Sequence, residues 1–258
     1  MTDRQPGSVV ITGASDGLGA ALARHYSARR VPVALIARRE PALQSLAGAL
    51  PGRSSVHAVD VRDTAAMREA AAAIHQIHGT PEIVIANAGV SVGTLTEAAD
   101  DEQAFRDVFD TNVLGLVHTF QPHVAAMRKR GSGVLVGIAS VAGYRGIPGS
   151  GAYSASKAAA IACLESLRVE LRGSGITVIT ICPGYITTAM TARNPYRMPF
   201  IISAETAAGK IAGIIDTRRT YAVIPWQMAI VARLLYLLPR WLYDPLAARA
   251  GRKPRRGI

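Results

Sequence analysis

Cysteine and aromatic residues are scarce in this sequence. Two of its 258 residues are cysteines, Cys163 and Cys182, and aromatic residues make up 5% of the chain. The two cysteines lie in apolar stretches and lack the spacing of metal ligands, so we expect buried, reduced thiols and no metal site. This pattern is typical of a cytoplasmic protein and argues against a small secreted domain that depends on disulfides.

The chain also lacks linkers, repeats and low-complexity segments between residues 8 and 225. Hydrophobic residues account for 49% of it and charged residues for 18%, which is enough for a large core and unlike a disordered protein. We therefore expect one large domain. Its first strand is predicted to begin at Ser8 or Val9, which leaves no room before it for a signal peptide.

Acidic residues are the minority among the charged ones. The formal net charge is +11, from 29 basic and 18 acidic residues. The imbalance is concentrated after residue 217, where nine Lys or Arg residues accompany a single acid, Asp244. Such an excess favours anionic partners, but no zinc-finger spacing or other nucleic-acid motif accompanies it. We therefore expect no nucleic acid partner.

Short, continuously apolar runs alternate with longer Ala- and Leu-rich segments along the chain. Such runs predict strands that are buried on both faces, and the segments between them predict crossover helices. Repeated strand–helix units imply an α/β fold, a doubly wound parallel sheet of Rossmann type with helices on both faces. Ligands bind at the carboxyl ends of the strands in such a sheet. The predicted strands are Ser8–Thr12, Val31–Ala37, Ser55–Val59, Ile83–Ala86, Gly133–Ile138, Thr177–Cys182 and Tyr221–Ile224.

The first predicted strand leads into a glycine-rich loop, Thr12–Gly19, and then into a helix. Gly13 permits a tight turn, Gly17 lets the backbone approach a pyrophosphate, and Gly19 lets the helix pack closely on the strand. The amino end of that helix offers free N–H groups to phosphates. A plain strand–helix turn is the alternative, but the position at the first strand–helix junction favours a dinucleotide site. The candidate cofactor-binding residues are Gly13, Ser15, Asp16, Gly17, Leu18 and Gly19.

Two arginines, Arg38 and Arg39, follow the second predicted strand. A fold selective for NAD is expected to place an acidic residue near this point, bonded to the 2′-hydroxyl of the adenosine ribose. Arginines instead bind a 2′-phosphate through charge-assisted hydrogen bonds. The sequence therefore favours NADP(H) as the cofactor, and the alternative is that both arginines merely lie in solvent at a strand end.

A tyrosine and a lysine, Tyr153 and Lys157, stand four residues apart at the start of an Ala-rich segment. In a helix this spacing places both side chains on one face, about one turn apart. Taken alone, the pair is compatible with two solvated surface residues. The other interpretation is catalytic. A phenol with a pKa of about 10 is a poor acid–base catalyst at neutral pH, and a nearby ammonium favours the phenolate and lowers that pKa.

The glycine spacing Gly-x-x-x-Gly-x-Gly and the Tyr-x-x-x-Lys pair together resemble the short-chain dehydrogenase/reductase family, over residues 8 to about 190. Asn112 and Ser140 match the other two members of the family's catalytic tetrad in order and approximate spacing. The resemblance implies that Tyr153 gives its proton to a carbonyl oxygen as hydride arrives from the nicotinamide, while Ser140 holds that oxygen. It also implies that Lys157 bonds the nicotinamide ribose and that Asn112 positions a water molecule that relays the proton.

The resemblance implies further cofactor contacts at the ends of three other strands. One is an aspartate that bonds the adenine amine, and another is an Asn-Asn-Ala-Gly segment near the adenosine ribose, in which Ala86 replaces the first Asn. The third is a Pro-Gly-x-x-x-Thr segment that binds the nicotinamide carboxamide. Family members that prefer NADP often carry a basic residue near the position of Asp16, so the chain departs from the family there. The candidate residues are Asp60, Val61, Asn87, Ala88, Gly89, Pro183, Gly184, Ile186 and Thr188.

The segment that follows, about residues 187–202, is predicted to be a substrate lid. Its apolar content favours an apolar substrate, with plain packing as the alternative. By resemblance, residues 1–225 form a catalytic domain that transfers a hydride between NADP(H) and a ketone, an aldehyde or a secondary alcohol. The apolar residues of the lid include Met190, Tyr196, Met198 and Phe200.

Two functions other than carbonyl reduction belong to proteins of this fold. A catalytically silent NADP-binding regulator on the same fold remains the alternative, whereas an epimerase or dehydratase needs a longer substrate region than this chain offers. By resemblance we also expect a homodimer or homotetramer. It would form through the helix that contains Tyr153 and the long helix before Ser140.

The last segment, residues 226–258, extends beyond the family's minimal fold. The longest charge-free apolar stretch that reaches into it, Thr220–Ala232, is too short for a membrane-spanning helix, which needs about 20 residues. Aromatic rings of the kind found at membrane surfaces and a basic cluster suit a helix lying on the inner surface of the membrane. A helix packed on its own domain or on a partner subunit is the alternative. The aromatic residues are Trp226, Tyr236, Trp241 and Tyr243, and the basic cluster comprises Arg249, Arg252, Lys253, Arg255 and Arg256.

Overall fold

The computed structural model describes residues 7–192, 194–249 and 251–255. Its strands are β1 Val9–Thr12, β2 Val33–Ala37, β3 Ser54–Ala58, β4 Ile83–Ala86, β5 Gly133–Ile138, β6 Ile176–Pro183, β7 Ile186–Thr187, β8 Ile202–Ser203 and β9 Tyr221–Ile224. Seven of them form one parallel sheet in the order β3-β2-β1-β4-β5-β6-β9. The order of the strands reverses between β1 and β4, and a doubly wound sheet opens its ligand crevice at such a point.

Helices cover both faces of this sheet. Leu22, Leu43 and Ile211 belong to the core on one face, and Ile74 and Leu164 to the core on the other. Because each face buries its own apolar cluster, the middle strands are apolar along their whole length. The helices are α1 Gly17–Ala28, α2 Glu40–Ala49, α3 Thr64–His78, α4 Glu102–Phe109, α5 Gly115–Arg130, α6 Gly151–Glu170, α7 Ala204–Asp216, α8 Trp226–Leu237 and α9 Arg240–Ala248.

Polar side chains and glycines define where several helices begin and end. The carboxylate of Asp63 accepts a hydrogen bond from the N–H of Ala66 (3.0 Å) at the start of α3. The hydroxyl of Ser203 accepts one from the N–H of Thr206 (3.1 Å) at the start of α7. Both bonds satisfy backbone donors that the first helical turn leaves free. Gly131, with φ of 71°, adopts the left-handed conformation that ends α5.

The predicted α/β fold, a doubly wound parallel sheet, is confirmed. The predicted strand ends lie within two residues of the observed ones for all seven strands of the sheet. The expectation of burial on both faces is wrong for β3 and β9, which are partly exposed because they form the two edges of the sheet. The pair β7 and β8 was not predicted, since strands of two residues leave no hydrophobic period to detect.

The two cysteines differ in their surroundings. Both are free thiols, and Cys182 is buried in β6 as expected. The expectation of a buried thiol is wrong for Cys163, which is exposed on α6. An apolar sequence neighbourhood does not distinguish the inner from the outer side of an Ala-rich helix, because alanine is common on both.

The segment after β9 forms two helices, α8 and α9, where the sequence analysis expected one. Pro239 has no N–H to continue the first helix, and Leu238 before it is extended, with φ of −63° and ψ of 126°. Met228 and Ala232 on α8 are buried against the domain. Packing on the chain's own domain therefore holds for one face of α8. Within the described residues, no helix is long and apolar enough to cross a membrane.

The basic cluster near the end of the chain is divided. Arg249 and Arg252 are exposed, whereas Lys253 and Arg255 are partly buried against the domain. The expectation that the whole cluster faces lipid headgroups is therefore wrong for Lys253 and Arg255, whose partners are polar groups of the domain. Arg256, the remaining member of the cluster, lies outside the described residues.

Candidate active site

The predicted site residues gather around one cavity of about 490 Å³ at the carboxyl ends of the strands. Two predicted residues, Gly19 and Asn112, do not line it. The cavity is also lined by residues that were not predicted as site residues. They are Ala37, Val59, Val90, Thr111, Ile138, Ala139, Ala189 and Thr191, together with Met190 of the predicted lid. The predicted residues that line it are Gly13, Ser15, Asp16, Gly17, Leu18, Arg38, Arg39, Asp60, Val61, Asn87, Ala88, Gly89, Ser140, Tyr153, Lys157, Pro183, Gly184, Ile186 and Thr188.

The glycine-rich loop lines the cavity, and its glycines leave no room for side chains. Gly13 and Gly17 have φ of 67° and 51°, a conformation that favours glycine. A Cβ at Gly19 would lie 2.2 Å from the carbonyl oxygen of Gly13, and one at Gly17 would lie 2.9 Å from Cγ2 of Thr188. The backbone of this loop therefore approaches the cavity as closely as a bound pyrophosphate requires.

Thr12 fastens the end of β1 to the loop after β4, a role that the sequence analysis missed. Its hydroxyl accepts hydrogen bonds from the N–H groups of Asn87 (3.1 Å) and Ala88 (3.2 Å). The side-chain amide of Asn87 in turn donates to the carbonyl oxygen of Thr12 (2.9 Å). Thr12, the first residue of the glycine-rich loop, is fully buried and fixes both loops at the point where the strand order reverses. A polar residue at the end of an apolar strand was the available signal.

Arg38 and Arg39 lie at the rim of the cavity with most of their side chains exposed. Nη2 of Arg39 lies 3.3 Å from Oγ of Ser15 and 3.7 Å from Oδ2 of Asp16. Nη1 of Arg38 lies 3.9 Å from Oδ2 of Asp60. Exposed pairs of this kind contribute little to stability, so both guanidinium groups can exchange their partners for a bound anion.

The carboxylate of Asp60 is held by Arg62, a residue that the sequence analysis did not consider. Oδ2 of Asp60 accepts hydrogen bonds from Nε (3.0 Å) and Nη2 (2.8 Å) of Arg62, and Oδ1 accepts one from its N–H (3.0 Å). Burial raises the pKa of Asp60, but the hydrogen bonds from Arg62 outweigh this effect, and the pKa lies below its ordinary value. Asp60 is therefore a fixed anion at the end of β3.

Ser140, Tyr153 and Lys157 line the same cavity. Nζ of Lys157 lies 5.9 Å from the ring centre of Tyr153 and donates a hydrogen bond to the carbonyl oxygen of Ile138 (2.8 Å). Ser140 follows β5, and its hydroxyl accepts a hydrogen bond from the N–H of Ala142 (3.1 Å) and donates one to the carbonyl oxygen of Pro183 (3.5 Å). The alternative of two solvated surface residues is wrong for Lys157, which is 5% exposed.

The pKa values of the tyrosine and the lysine are shifted in opposite directions. Burial raises the pKa of Tyr153 above its ordinary value, and the hydrogen bond from Ser140 opposes this effect. Burial lowers the pKa of Lys157 to about 8. The expectation that Lys157 lowers the pKa of Tyr153 does not hold for the protein alone, because burial of the phenol is the larger effect. The ammonium remains the charge next to a developing phenolate.

Asn112 lies in a π-helical turn, Asp110–Leu114, between α4 and α5. Its Oδ1 accepts a hydrogen bond from the N–H of Val90 (2.8 Å), and its Nδ2 donates to the carbonyl oxygen of Val90 (3.0 Å) and to Oγ of Ser156 (2.9 Å). Oγ of Ser156 donates to the carbonyl oxygen of Tyr153 (2.8 Å). Asn112 therefore joins the loop after β4 to the helix that carries Tyr153.

The predicted lid begins and ends on a pair of short strands. β7 and β8 pair in parallel, with Ile186 opposite Ile202 and Thr187 opposite Ser203, which holds the two ends of the segment together. Oγ1 of Thr191 accepts a hydrogen bond from the N–H of Thr188 (3.0 Å) and donates to the carbonyl oxygen of Ile186 (2.6 Å). Thr191 thus fixes the turn that presents Thr188 to the cavity.

The sequence of this chain is similar to those of known proteins. The sequence model of the short chain dehydrogenases matches residues 8–197. The chain is a member of the short-chain dehydrogenase/reductase family. An uncharacterised oxidoreductase of Myxococcus xanthus is 37% identical over 96% of this chain and 99% of its own. The ketoacyl reductase HetN of Nostoc sp. is 32% identical over 83% of this chain and 72% of its own.

Solved structures of other short-chain dehydrogenases share the fold. A short-chain dehydrogenase from Burkholderia cenocepacia in complex with NADP superposes with a TM-score of 0.81, at 24% identity over 94% of this chain and 98% of that one. One from Burkholderia phymatum in complex with NAD gives a TM-score of 0.79, at 24% identity over 98% of this chain and 99% of that one. At such identities the likeness extends to the fold and not to the choice of cofactor.

Proposed function

We propose that this short-chain dehydrogenase/reductase transfers a hydride between NADP(H) and a ketone, an aldehyde or a secondary alcohol. One observation carries the proposal. Ser140, Tyr153 and Lys157 line the same cavity of about 490 Å³ as the glycine loop and the two arginines, Arg38 and Arg39. A dinucleotide that lay along this cavity would have its phosphates at the amino end of α1 and its reactive ring beside the phenol.

Each residue has a role in the proposed reaction. The cofactor supplies the hydride chemistry, and the protein orients the substrate and moves a proton. Ser140 donates a hydrogen bond to the carbonyl oxygen, and Tyr153 gives that oxygen its proton. Lys157 stabilises the phenolate that remains and bonds the ribose next to the reactive ring. Asn112 positions the water molecule that returns a proton to Tyr153.

The choice of NADP(H) over NAD(H) rests on Arg38 and Arg39. Two guanidinium groups lie at the rim of the cavity, where a 2′-phosphate would be bound, and charge-assisted hydrogen bonds favour that phosphate. Asp16 opposes it only weakly, since its carboxylate already accepts a hydrogen bond from the N–H of Gly17 (2.6 Å) and faces Arg39. The Burkholderia structures with NADP and with NAD illustrate that this fold accepts either cofactor.

The apolar lid supports a substrate with an apolar body. Met190, Phe200 and Ile201 are exposed large hydrophobic side chains in or beside the predicted lid, and Met190 lines the cavity. Exposed apolar groups at the mouth of a binding cleft favour apolar ligands. The name of the Nostoc relative, a ketoacyl reductase, is consistent with a carbonyl on an acyl chain.

The proposed reaction is tested by NADPH consumption against a panel of carbonyl compounds. The panel runs from short polar ketones to long acyl and steroid-like ones, and each compound is also tested with NADH. We expect turnover that increases with the apolar body of the substrate. Tight binding of NADPH without turnover of any carbonyl or alcohol would instead identify a catalytically silent regulator.

We also propose that the outer face of α8 and α9 lies on an anionic membrane surface, on the inner side of the membrane. Trp226 is 66% exposed, Leu237 is 70% exposed and Trp241 is 76% exposed, which is unusual for a face of a monomeric protein. Arginine side chains flank this apolar face and would meet lipid headgroups. The exposed apolar residues are Trp226, Ile230, Leu234, Leu235, Tyr236, Leu237, Trp241 and Leu246, and the exposed arginines are Arg233, Arg240 and Arg249.

We also propose that the chain forms a homodimer or homotetramer through α5 and α6. Leu114, directly before α5, is 47% exposed, Val117 in the first turn of α5 is 40% exposed, and Val169 on α6 is 59% exposed. An interface between identical chains would cover such exposed apolar residues on the two helices. Light scattering during size-exclusion chromatography measures the assembly, and a monomer at micromolar concentration would contradict it.

A further inference from the structure

The segment Gly251–Arg255, here named the C-terminal strap, lies against the loop after β4. The N–H of Gly93 donates a hydrogen bond to the carbonyl oxygen of Pro254 (2.9 Å), and Gly93 and Arg255 form a parallel bridge. A Cβ at Gly93 would lie 2.2 Å from the carbonyl oxygen of Lys253, so backbone meets backbone at this point. The contact requires glycine in the loop and fixes the position of the strap along it.

A buried aspartate anchors the end of the strap. Nε of Arg255 lies 2.9 Å from Oδ2 and 3.1 Å from Oδ1 of Asp101, which is 3% exposed. Oδ2 of Asp101 also accepts a hydrogen bond from the N–H of Leu95 (2.7 Å). Since a buried carboxylate without a cation is costly, this pair resists separation more than a surface pair does.

The other end of the strap contacts the lid and the loop before α6. A Cβ at Gly251 would lie 2.7 Å from Cβ of Tyr196 in the predicted lid. A Cβ at Gly149 would lie 3.2 Å from Cβ of Arg252, next to the start of the helix that carries Tyr153. The strap therefore bridges several of the loops that frame the proposed substrate cleft.

Lys253 is the residue of the strap that turns toward the site. Its Nζ lies 2.7 Å from Oγ of Ser91 and 5.7 Å from the ring centre of Tyr153. Within the described part of the chain, no carboxylate lies within 4.0 Å of this ammonium. Burial lowers its pKa to about 8. An ammonium held in a half-buried position without a counter-ion is available to an anionic ligand.

A second cavity, of about 290 Å³, lies beside the strap. Its charged lining residues in the described part of the chain are Arg252, Lys253 and Arg255, and none of its lining residues is acidic. Clefts lined by one sign of charge concentrate ligands of the opposite sign. The positive charge of this cavity agrees with an anion site at Lys253, whose Nζ lies 5.7 Å from the ring centre of Tyr153.

We propose that Lys253 binds an anionic group of the substrate, a carboxylate or a phosphate, a few bonds from the carbonyl that Tyr153 protonates. The substrate is then amphipathic: its apolar body lies under the lid, and its anionic group meets the strap. The assignment rests on the proposed function for the identity of the carbonyl. The anion site itself is independent of the reaction.

Calorimetric titration of the full-length protein, saturated with NADPH, tests the anion site directly. Octanoate and octyl phosphate are the anionic probes, and octanamide is the neutral probe of similar shape. We expect the protein to bind at least one of the anions about tenfold more tightly than octanamide, as a charge-assisted hydrogen bond implies. The anion that binds more tightly identifies the group. Equal binding of all three probes would overturn the proposal.

Three variants locate the site. Lys253→Met should abolish the preference for the anion and leave octanamide binding unchanged, whereas Lys253→Arg should retain the preference. Lys210→Met, which removes the same charge from an exposed position on α7, is the matched control and should behave as the parent does. Arg255→Met frees the strap from Asp101 and should weaken anion binding about threefold or more. A preference that survives Lys253→Met would overturn the assignment.

Turnover separates this proposal from the proposed function. NADPH oxidation is compared for 4-oxooctanoate and its methyl ester, with the parent and Lys253→Met. We expect Lys253→Met to raise KM for the acid about tenfold and to leave the ester unchanged. Reduction of both compounds with no effect of Lys253→Met overturns the role of Lys253 alone. Anion binding that depends on Lys253, without reduction of any carbonyl, overturns the proposed reaction alone.

Discussion

Nη2 of Arg39 lies 3.7 Å from Oδ2 of Asp16, across the mouth of the dinucleotide cavity. Both side chains are more than half exposed, so the pair is weak and a 2′-phosphate can replace the carboxylate as the partner of Arg39. We expect NADPH to bind about tenfold more tightly than NADH, a difference of about 1.4 kcal/mol. Fluorescence titration of the two reduced cofactors measures both dissociation constants.

Two variants test how that preference arises. Replacing Arg38 and Arg39 together by glutamine should erase most of the preference for NADPH and leave NADH binding nearly unchanged. Asp16→Asn should increase the preference, because the amide no longer competes for Arg39. Equal affinity for both cofactors in the parent protein would show that Asp16 outweighs the arginines.

The proposed proton donor is tested by Tyr153→Phe. The phenyl ring keeps the packing of Tyr153 but has no proton to give, so turnover should fall by about a hundredfold or more. NADPH binding should remain within about twofold of the parent, since Lys157 still bonds the carbonyl oxygen of Ile138. Steady-state kinetics and a binding titration give the two numbers. Turnover within tenfold of the parent would remove Tyr153 from the mechanism.

The sequence predicted the sheet well because its middle strands bury both faces and leave long apolar runs. β4 and β5 have their predicted ends for this reason. The glycine-rich turn after β1 and the helix that places Tyr153 and Lys157 one turn apart were also predictable, because turn chemistry and helical spacing operate over a few positions. β7 and β8 were not, since two residues form no pattern.

Contacts between distant parts of the chain were the main omission. Lys253 appeared in the sequence only as one member of a basic cluster, and its contact with Ser91 joins residues far apart in the chain. Asp101 looked like an ordinary residue at the start of a helix, yet it is buried and pairs with Arg255. Such partners depend on the path of the chain after β9, which hydrophobic periodicity does not determine.

The glycine loop is also required for stability, and Gly19→Ala tests this. A Cβ at Gly19 would lie 2.2 Å from the carbonyl oxygen of Gly13, so the first turn of α1 would have to move. We expect unfolding free energy to fall by about 1–3 kcal/mol, with weaker NADPH binding. Gly209→Ala is the matched control, because a Cβ on this helical glycine meets nothing within 4 Å. It should stabilise the protein by about 0.5–1 kcal/mol in chemical denaturation.

A buried histidine, His123, paired with the partly exposed His75, makes stability depend on pH. Nε2 of His75 lies 2.9 Å from Nδ1 of His123, and burial, followed by the charge of His75, lowers the pKa of His123 to about 3. As pH falls below about 6.5, His123 becomes protonated in the unfolded chain but stays neutral in the folded protein. The free energy of unfolding therefore decreases as pH decreases from that value. His123→Gln should reduce the loss of unfolding free energy between pH 7.5 and 5 by about 2 kcal/mol. An unchanged loss would contradict this assignment.

The outer face of α8 and α9 is tested by flotation of the full-length protein with liposomes of phosphatidylcholine and phosphatidylglycerol at low salt. We expect the protein to float with these vesicles and less with pure phosphatidylcholine, because each arginine near an anionic surface contributes about 1 kcal/mol. Leu237→Ser with Trp241→Ser should abolish flotation and leave NADPH binding unchanged. These side chains are 70% and 76% exposed, so the double variant removes apolar surface without disturbing the core.

Point variants are more informative here than removal of the whole segment after Pro225. Such a truncation would also remove Met228 and Ala232, which are buried against the domain, and the strap that carries Lys253. Loss of flotation would then report unfolding as readily as loss of a membrane contact. The double variant Arg233→Gln with Arg240→Gln separates electrostatic attraction from apolar contact, since it lowers the net charge but keeps the apolar face. If the parent protein stays with the unbound fraction at low salt, the outer face of α8 and α9 has another partner, and the membrane proposal is wrong.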